Sequence, residues 1–98
     1  MAQNTHKTKV IFRKFNSGAL IALFPEQLGT RQWDTCESYM HIGQHGSALI
    51  ELVMITKLAS PPEYSELKRE LETLGYNLEV VQKFTNKHLQ FRLNQIKN

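Results

Sequence analysis

Along residues 9–15 apolar and basic positions alternate: Ile11 and Phe15 share one face of an extended segment with Lys7, Lys9 and Arg13, while Val10, Phe12 and Lys14 share the other. A polar break, Asn16-Ser17-Gly18, separates this run from Ala19-Leu20-Ile21-Ala22-Leu23-Phe24, which is apolar on both faces. Two β-rich runs around a short turn with Asn and Gly predict a hairpin, and the two-sided second run predicts an interior strand. Pro25 has no amide hydrogen to give to a ladder and ends it, so residues 25–34 read as an irregular connection. Further strands are predicted over 37–42 and 47–57, joined by a Gly43-Gln44-His45-Gly46 turn whose glycines permit unusual dihedrals. In the 47–57 run Ala48, Ile50, Leu52 and Met54 face one way, and Leu49, Glu51, Val53 and Ile55 the other.

The period then changes. Tyr64, Leu67, Leu71 and Leu74 recur at spacings of three and four, which makes one buried stripe on a helix over 60–74. Ser60-Pro61-Pro62-Glu63 reads as its capping box, with proline at the first helical position, and Gly75 as its stop. Residues 76–84 return as a strand, apolar at Tyr76, Leu78, Val80 and Phe84. For residues 85–98 the pattern fits both periods: Leu89, Phe91 and Leu93 alternate, whereas Leu89, Leu93 and Ile96 suit a helix opened by Thr85. The helix is preferred.

These elements predict an α+β fold, mainly an antiparallel sheet of about four strands with the 60–74 helix packed on one face. Ninety-eight residues suffice for one modest core, so the expectation is a single domain over 1–98, with 1–8 as a flexible N-terminal arm. A single cysteine allows no internal disulfide and fits a reducing compartment, making the cytoplasm the expected location. The longest apolar run, residues 19–24, is far below the roughly 20 residues of a membrane helix, and no membrane partner is expected.

The segment Cys36-Glu37-Ser38-Tyr39-Met40-His41-Ile42-Gly43-Gln44-His45-Gly46 concentrates the chemistry: the only cysteine, two of four histidines and two of five glycines. Three readings compete. Cys36, His41 and His45 are acceptable zinc ligands, but in an extended segment Cys36 and His41 point to opposite faces, and no fourth ligand lies nearby. Cys36 could instead be a thiol nucleophile activated by His45 or His88, although the flanking Asp34 and Glu37 would raise its pKa. The third reading is a binding surface: Glu37, Tyr39 and His41 on one face, with Gln44 and His45 beside them in the turn. This last is preferred, with Tyr39 turned outward, and neither a metal nor a cofactor is expected.

Charge changes the picture at the two ends. The net charge is +3. Residues 1–16 carry Lys7, Lys9, Arg13 and Lys14 without an acid, and residues 83–98 carry Lys83, Lys87, Arg92 and Lys97 without one. The middle holds four bases against nine acids, or −5. If the ends meet in space, Lys7, Lys9, Arg13, Lys83, Lys87 and Arg92 would make a basic face for nucleic acid, with aromatics such as Phe12 and Phe15 available for stacking.

Three motifs together, residues 9–15 leading to Ala22-Leu23-Phe24-Pro25, the Cys36 to Gly46 segment, and Ser60-Pro61-Pro62-Glu63-Tyr64, resemble a family of small uncharacterised proteins of bacterial and prophage genomes. The match runs to about Phe84, and the middle motif is its most specific part. The resemblance implies a phage-like or mobile-element setting and no particular catalysis. The functional expectation is therefore a non-enzymatic accessory binding module contacting an unidentified protein or nucleic acid. A small thiol- or metal-dependent enzyme built on Cys36, His41 and His45, and a homo-oligomeric structural protein, are the alternatives.

Overall fold

A computed structural model describes residues 7–41 and 43–97. The first alternating run forms β1, Thr8–Lys14, and the two-sided apolar run forms β2, Leu20–Phe24, paired antiparallel with Ile11 opposite Leu23 and Lys14 opposite Leu20. β2 is interior, as its two-sided pattern requires: its other edge pairs with β3, Thr35–Met40, which pairs in turn with β4, Gln44–Leu49. Of the expected N-terminal arm, Lys7 is described and Thr8 already belongs to β1, while residues 1–6 lie outside the described residues, as does Ile42.

The β3–β4 connection is shorter than the sequence suggests. Met40 pairs with Gln44, so residues 41–43 make the turn and Gly46 lies inside β4 opposite Ser38. Gly43 holds φ +72°, a left-handed conformation that a side chain would disfavour.

The expected 47–57 strand is broken. After β4 the chain makes a 3-10 turn over Ile50–Met54 and only then a two-residue strand, β5, Lys57–Leu58, on the far side of β1. The cause is topological. β4 and β5 lie at opposite ends of the β4-β3-β2-β1-β5 order, so the chain between them must cross a sheet face. Ile50, Leu52 and Val53 pack on Ile11, Ile21, Leu23 and Cys36 of that face.

Helix α1, Pro61–Thr73, follows with its predicted stripe, burying Leu67 and Leu71 against Val10, Phe12, Ala22, Phe24 and Tyr39 on the opposite sheet face. Phe12 stacks on Tyr64 with ring centroids 4.4 Å apart. The carboxylate of Glu63 accepts from the Ser60 amide at 2.8 Å and from its hydroxyl at 3.0 Å. At the other end Gly75 N–H donates to Glu72 O and Tyr76 N–H to Leu71 O, a Schellman closure that Gly75 permits with φ +107°.

The 76–84 run shortens to β6, Leu78–Val80, parallel to β1. β1 has one free edge and two claimants for it: Thr8 and Val10 serve β6 and the residues around it, while Phe12 O accepts from Ala59 N–H and Arg13 and Lys14 pair with β5. The tail is helix α2, Asn86–Lys97. Its cap is reciprocal: Thr85 Oγ1 accepts from the His88 amide at 3.3 Å, and His88 Nδ1 accepts from the Thr85 amide at 3.1 Å. The fold is α+β, with six strands and two α-helices among the described residues.

Candidate functional site

The chemically dense segment folds as the β3–β4 hairpin, and its residues separate. Strand alternation sends Tyr39 and Cys36 to opposite faces. Tyr39 is 1% exposed, in the core under α1; it is not the outward residue its sequence context suggested. Glu37, His41, Gln44 and His45 are exposed around it, and the His45 ring stands edge-on to the Tyr39 ring at 4.6 Å.

What the sequence did not reveal is the partner of this hairpin. Glu70 of α1 accepts a hydrogen bond from the Tyr39 hydroxyl through one carboxylate oxygen and meets His41 Nδ1 at 2.5 Å through the other. The Gly43 amide donates to the Tyr39 oxygen at 2.9 Å, so one tyrosine ties the turn to the helix. The Glu70 bond, then burial, pushes the Tyr39 phenol above its ordinary pKa. A legible signal existed. Glu70 sits between Leu67 and Leu71 at the border of the buried stripe, where a carboxylate needs a polar partner. Tyr39, His41 and Gly43, with Glu66, Arg69, Thr73 and Leu74 of the helix, line an open concavity of about 700 Å³. It can hydrogen-bond a partner through the exposed imidazole of His41, whose orientation Glu70 fixes.

Cys36 is fully buried on the other face, where burial pushes its thiol up to about 11, offset in part by Arg92. An apolar site without solvent access supplies no thiolate at neutral pH. Among the described residues no three His, Cys, Asp or Glu side chains are grouped so as to hold a metal ion.

The basic residues also divide. Arg92 is 2% exposed and donates to Pro25 O at 2.5 Å and Trp33 O at 3.0 Å, with its guanidinium 5.4 Å from the centre of the Phe84 ring. Arg13 donates to Val53 O, Thr56 O and Thr56 Oγ1. Both arginines are structural anchors and leave the set of candidate nucleic-acid contacts. Phe12 is core and Phe15 half-buried, so neither offers an open stacking face.

Lys7, Lys9 and Lys87 do come together. The parallel β1–β6 pair brings the start of β1 beside the segment leading into α2, and these three lysines line a cleft of about 410 Å³ with Glu26, Glu79, His88 and Phe91. Lys9 pairs with Glu79 at 2.7 Å, which raises the lysine pKa and lowers that of the carboxyl. His88 is buried, and burial lowers its pKa, as does the charge of Arg92, Lys9 and Lys87. Lysines and carboxylates leave the cleft at +1 with His88 neutral. Phe91 is 44% exposed at its wall. Lys83 is exposed but does not line the cleft.

No family profile, curated protein or solved structure matches the chain.

Proposed function

We propose that the chain is a non-enzymatic binding module that contacts single-stranded nucleic acid through the cleft between the start of β1 and the N-terminal turns of α2. The carrying observation is the convergence of Lys7, Lys9 and Lys87 with the exposed Phe91 ring in one concavity. Ammonium groups attract phosphates without regard to sequence, and an aromatic face stacks on any base. With Arg13 and Arg92 committed to the fold and Lys83 outside the cleft, three lysines remain for phosphate contact, so binding is weak and non-specific. The exposed His41, held by Glu70, is the module's second surface, open to a protein partner. The setting proposed with this reading is the phage-like or mobile-element one that the motif resemblance implies, in the reducing cytoplasm that a single cysteine fits.

Fluorescence anisotropy with a labelled single-stranded oligonucleotide tests it. Three contacts at roughly −0.7 each give an expected slope of log K against log salt of about −2. Lys7→Ala/Lys9→Ala/Lys87→Ala should abolish binding, and Lys68→Ala should leave it intact. Amide shifts on titration should appear at Lys9 and Lys87 and spare Gly43 and His45. The absence of any salt-dependent binding to DNA or RNA at low salt disproves the reading.

A further inference from the structure

The two α-helices open on caps of the same plan built from different chemistry. At α1 the residue three past the cap is Glu63, whose carboxylate accepts from the Ser60 amide at 2.8 Å. At α2 the corresponding residue is His88: its Nδ1 accepts from the Thr85 amide at 3.1 Å, while Thr85 Oγ1 accepts from the His88 amide at 3.3 Å. A backbone N–H can only donate, so the Nδ1 facing it carries no proton, and neutral His88 holds its one ring proton on Nε2. The Leu89 amide then makes the first helical bond, to Thr85 O at 3.1 Å.

Protonation turns this acceptor into a donor. An Nδ1–H aimed at the Thr85 N–H sets two hydrogens against each other, so the imidazolium must leave the cap or the Thr85 amide must turn away. The new charge also sits at the positive end of α2, on a residue that is 5% exposed. Burial foremost, with Arg92 and Lys87 of α2 and Lys9 of β1, holds the His88 pKa below the ordinary 6.5 against the pull of Glu26 in the 25–34 connection. Lys7 and, from β6, Glu79 complete the charges of the cleft that His88 lines, making four cations against two carboxylates around the ring.

We propose that His88 is a proton-operated cap, which closes the first turn of α2 when neutral and releases it when protonated. The release stops at Arg92, one turn on, which Pro25 O and Trp33 O hold in place. Lys87 lies on the released turn and lines the cleft, so the switch reshapes that cleft whatever ligand it takes. Because the folded pKa lies below the ordinary one, the cap is complete above about pH 6.5 and is lost as pH falls through the folded value. The cap of α1 does not follow, since the Glu63 carboxyl stays ionised down to about 2.

Nuclear magnetic resonance of the nitrogen-labelled chain, from about pH 8 to about pH 5, tests the proposal. Long-range proton–nitrogen spectra should show His88 with Nε2 protonated and Nδ1 bare at the upper end, gaining its second proton only below 6.5. Over the same range, hydrogen-exchange protection of the Leu89 amide should fall about fivefold, the usual weight of a helix cap. The equivalent bond of α1, from the Tyr64 amide to Ser60 O, should keep its protection. His88→Asn, whose Oδ1 takes the place of Nδ1 but does not titrate, should keep Leu89 protected throughout. A proton on Nδ1 at neutral pH, a folded value at or above 6.5, or equal losses at Leu89 and Tyr64 overturns the switch. So does a His88→Asn chain that responds to pH as wild type does, and the wild-type spectra decide the matter if that variant does not fold.

Discussion

The hydroxyl of Tyr39, in the first strand of the β3–β4 hairpin, donates to the carboxylate of Glu70 on the helix that covers it. The ring fills the core beneath α1 while its oxygen ties turn to helix. Tyr39→Ala should therefore cost about 3–5 kcal/mol, as a large core truncation does. Tyr39→Phe keeps the ring and should cost about 1–2 kcal/mol for the lost hydrogen bonds. Urea unfolding at constant m-value separates them, and equal small losses for both would show that the ring is not core.

Glu63 joins α1 to β1. Lys14 foremost, then the amide and hydroxyl of Ser60, hold its carboxyl down at about 2 against an ordinary 4.5. A depressed folded value means that its contribution is complete above 4.5 and is lost as pH falls toward 2. The stability difference between wild type and Glu63→Gln should be constant from neutrality down to that range and close below it. A gap of undiminished size at the acid end would contradict the assignment. Ser60→Ala, which removes only the hydroxyl, should cost about 1 kcal/mol or less at pH 7.

Arg92 is a buried cation satisfied by backbone carbonyls. Arg92→Ala should lose about 3 kcal/mol or more, since charge-assisted bonds contribute roughly 1.5–3 kcal/mol each. Arg92→Lys should rescue little, because one ammonium on a flexible stem does not reproduce a planar fork reaching Pro25 O and Trp33 O at once. Chemical denaturation of the pair decides this. A lysine variant as stable as wild type would reduce the site to a simple charge requirement.

Gly29 is required for space. A Cβ there would stand 2.3 Å from Ser47 Oγ and 2.5 Å from the Cys36 carbonyl oxygen. Gly29→Ala should cost about 1–3 kcal/mol by forcing the 25–34 connection off the sheet. Gly29→Ala/Ser47→Gly removes only the side-chain clash and should recover part of the loss, as read from thermal unfolding. Full recovery would mean that the backbone contact yields freely.

Local information was legible in the chain by itself. The alternation over β1, the two-sided run of β2 and the Gly75 stop of α1 each depend on residues within a turn or two of one another and formed where the pattern placed them; the stripe of α1 holds at Leu67 and Leu71, whereas Leu74, at the C-cap beyond the last turn, is 55% exposed. The tail was ambiguous by period, but Thr85 and His88 close a local cap and the helix follows.

Tertiary structure decided the rest. Periodicity states which residues share a face, and not whether that face meets a helix or water, so Tyr39 and the exposed His41 could not be told apart until α1 brought Glu70 to them. Nor does it state which strand edge is already taken. The 47–57 run reads as a strand, yet it must cross the sheet from β4 to β5, and the 76–84 run keeps three paired residues because β5 occupies the rest of that edge of β1. The basic residues divide for the same reason. Arg13 and Arg92 are placed where distant carbonyls need a donor, whereas Lys7, Lys9 and Lys87 are left at a cleft that exists only once the start of β1 and the first turns of α2 lie side by side.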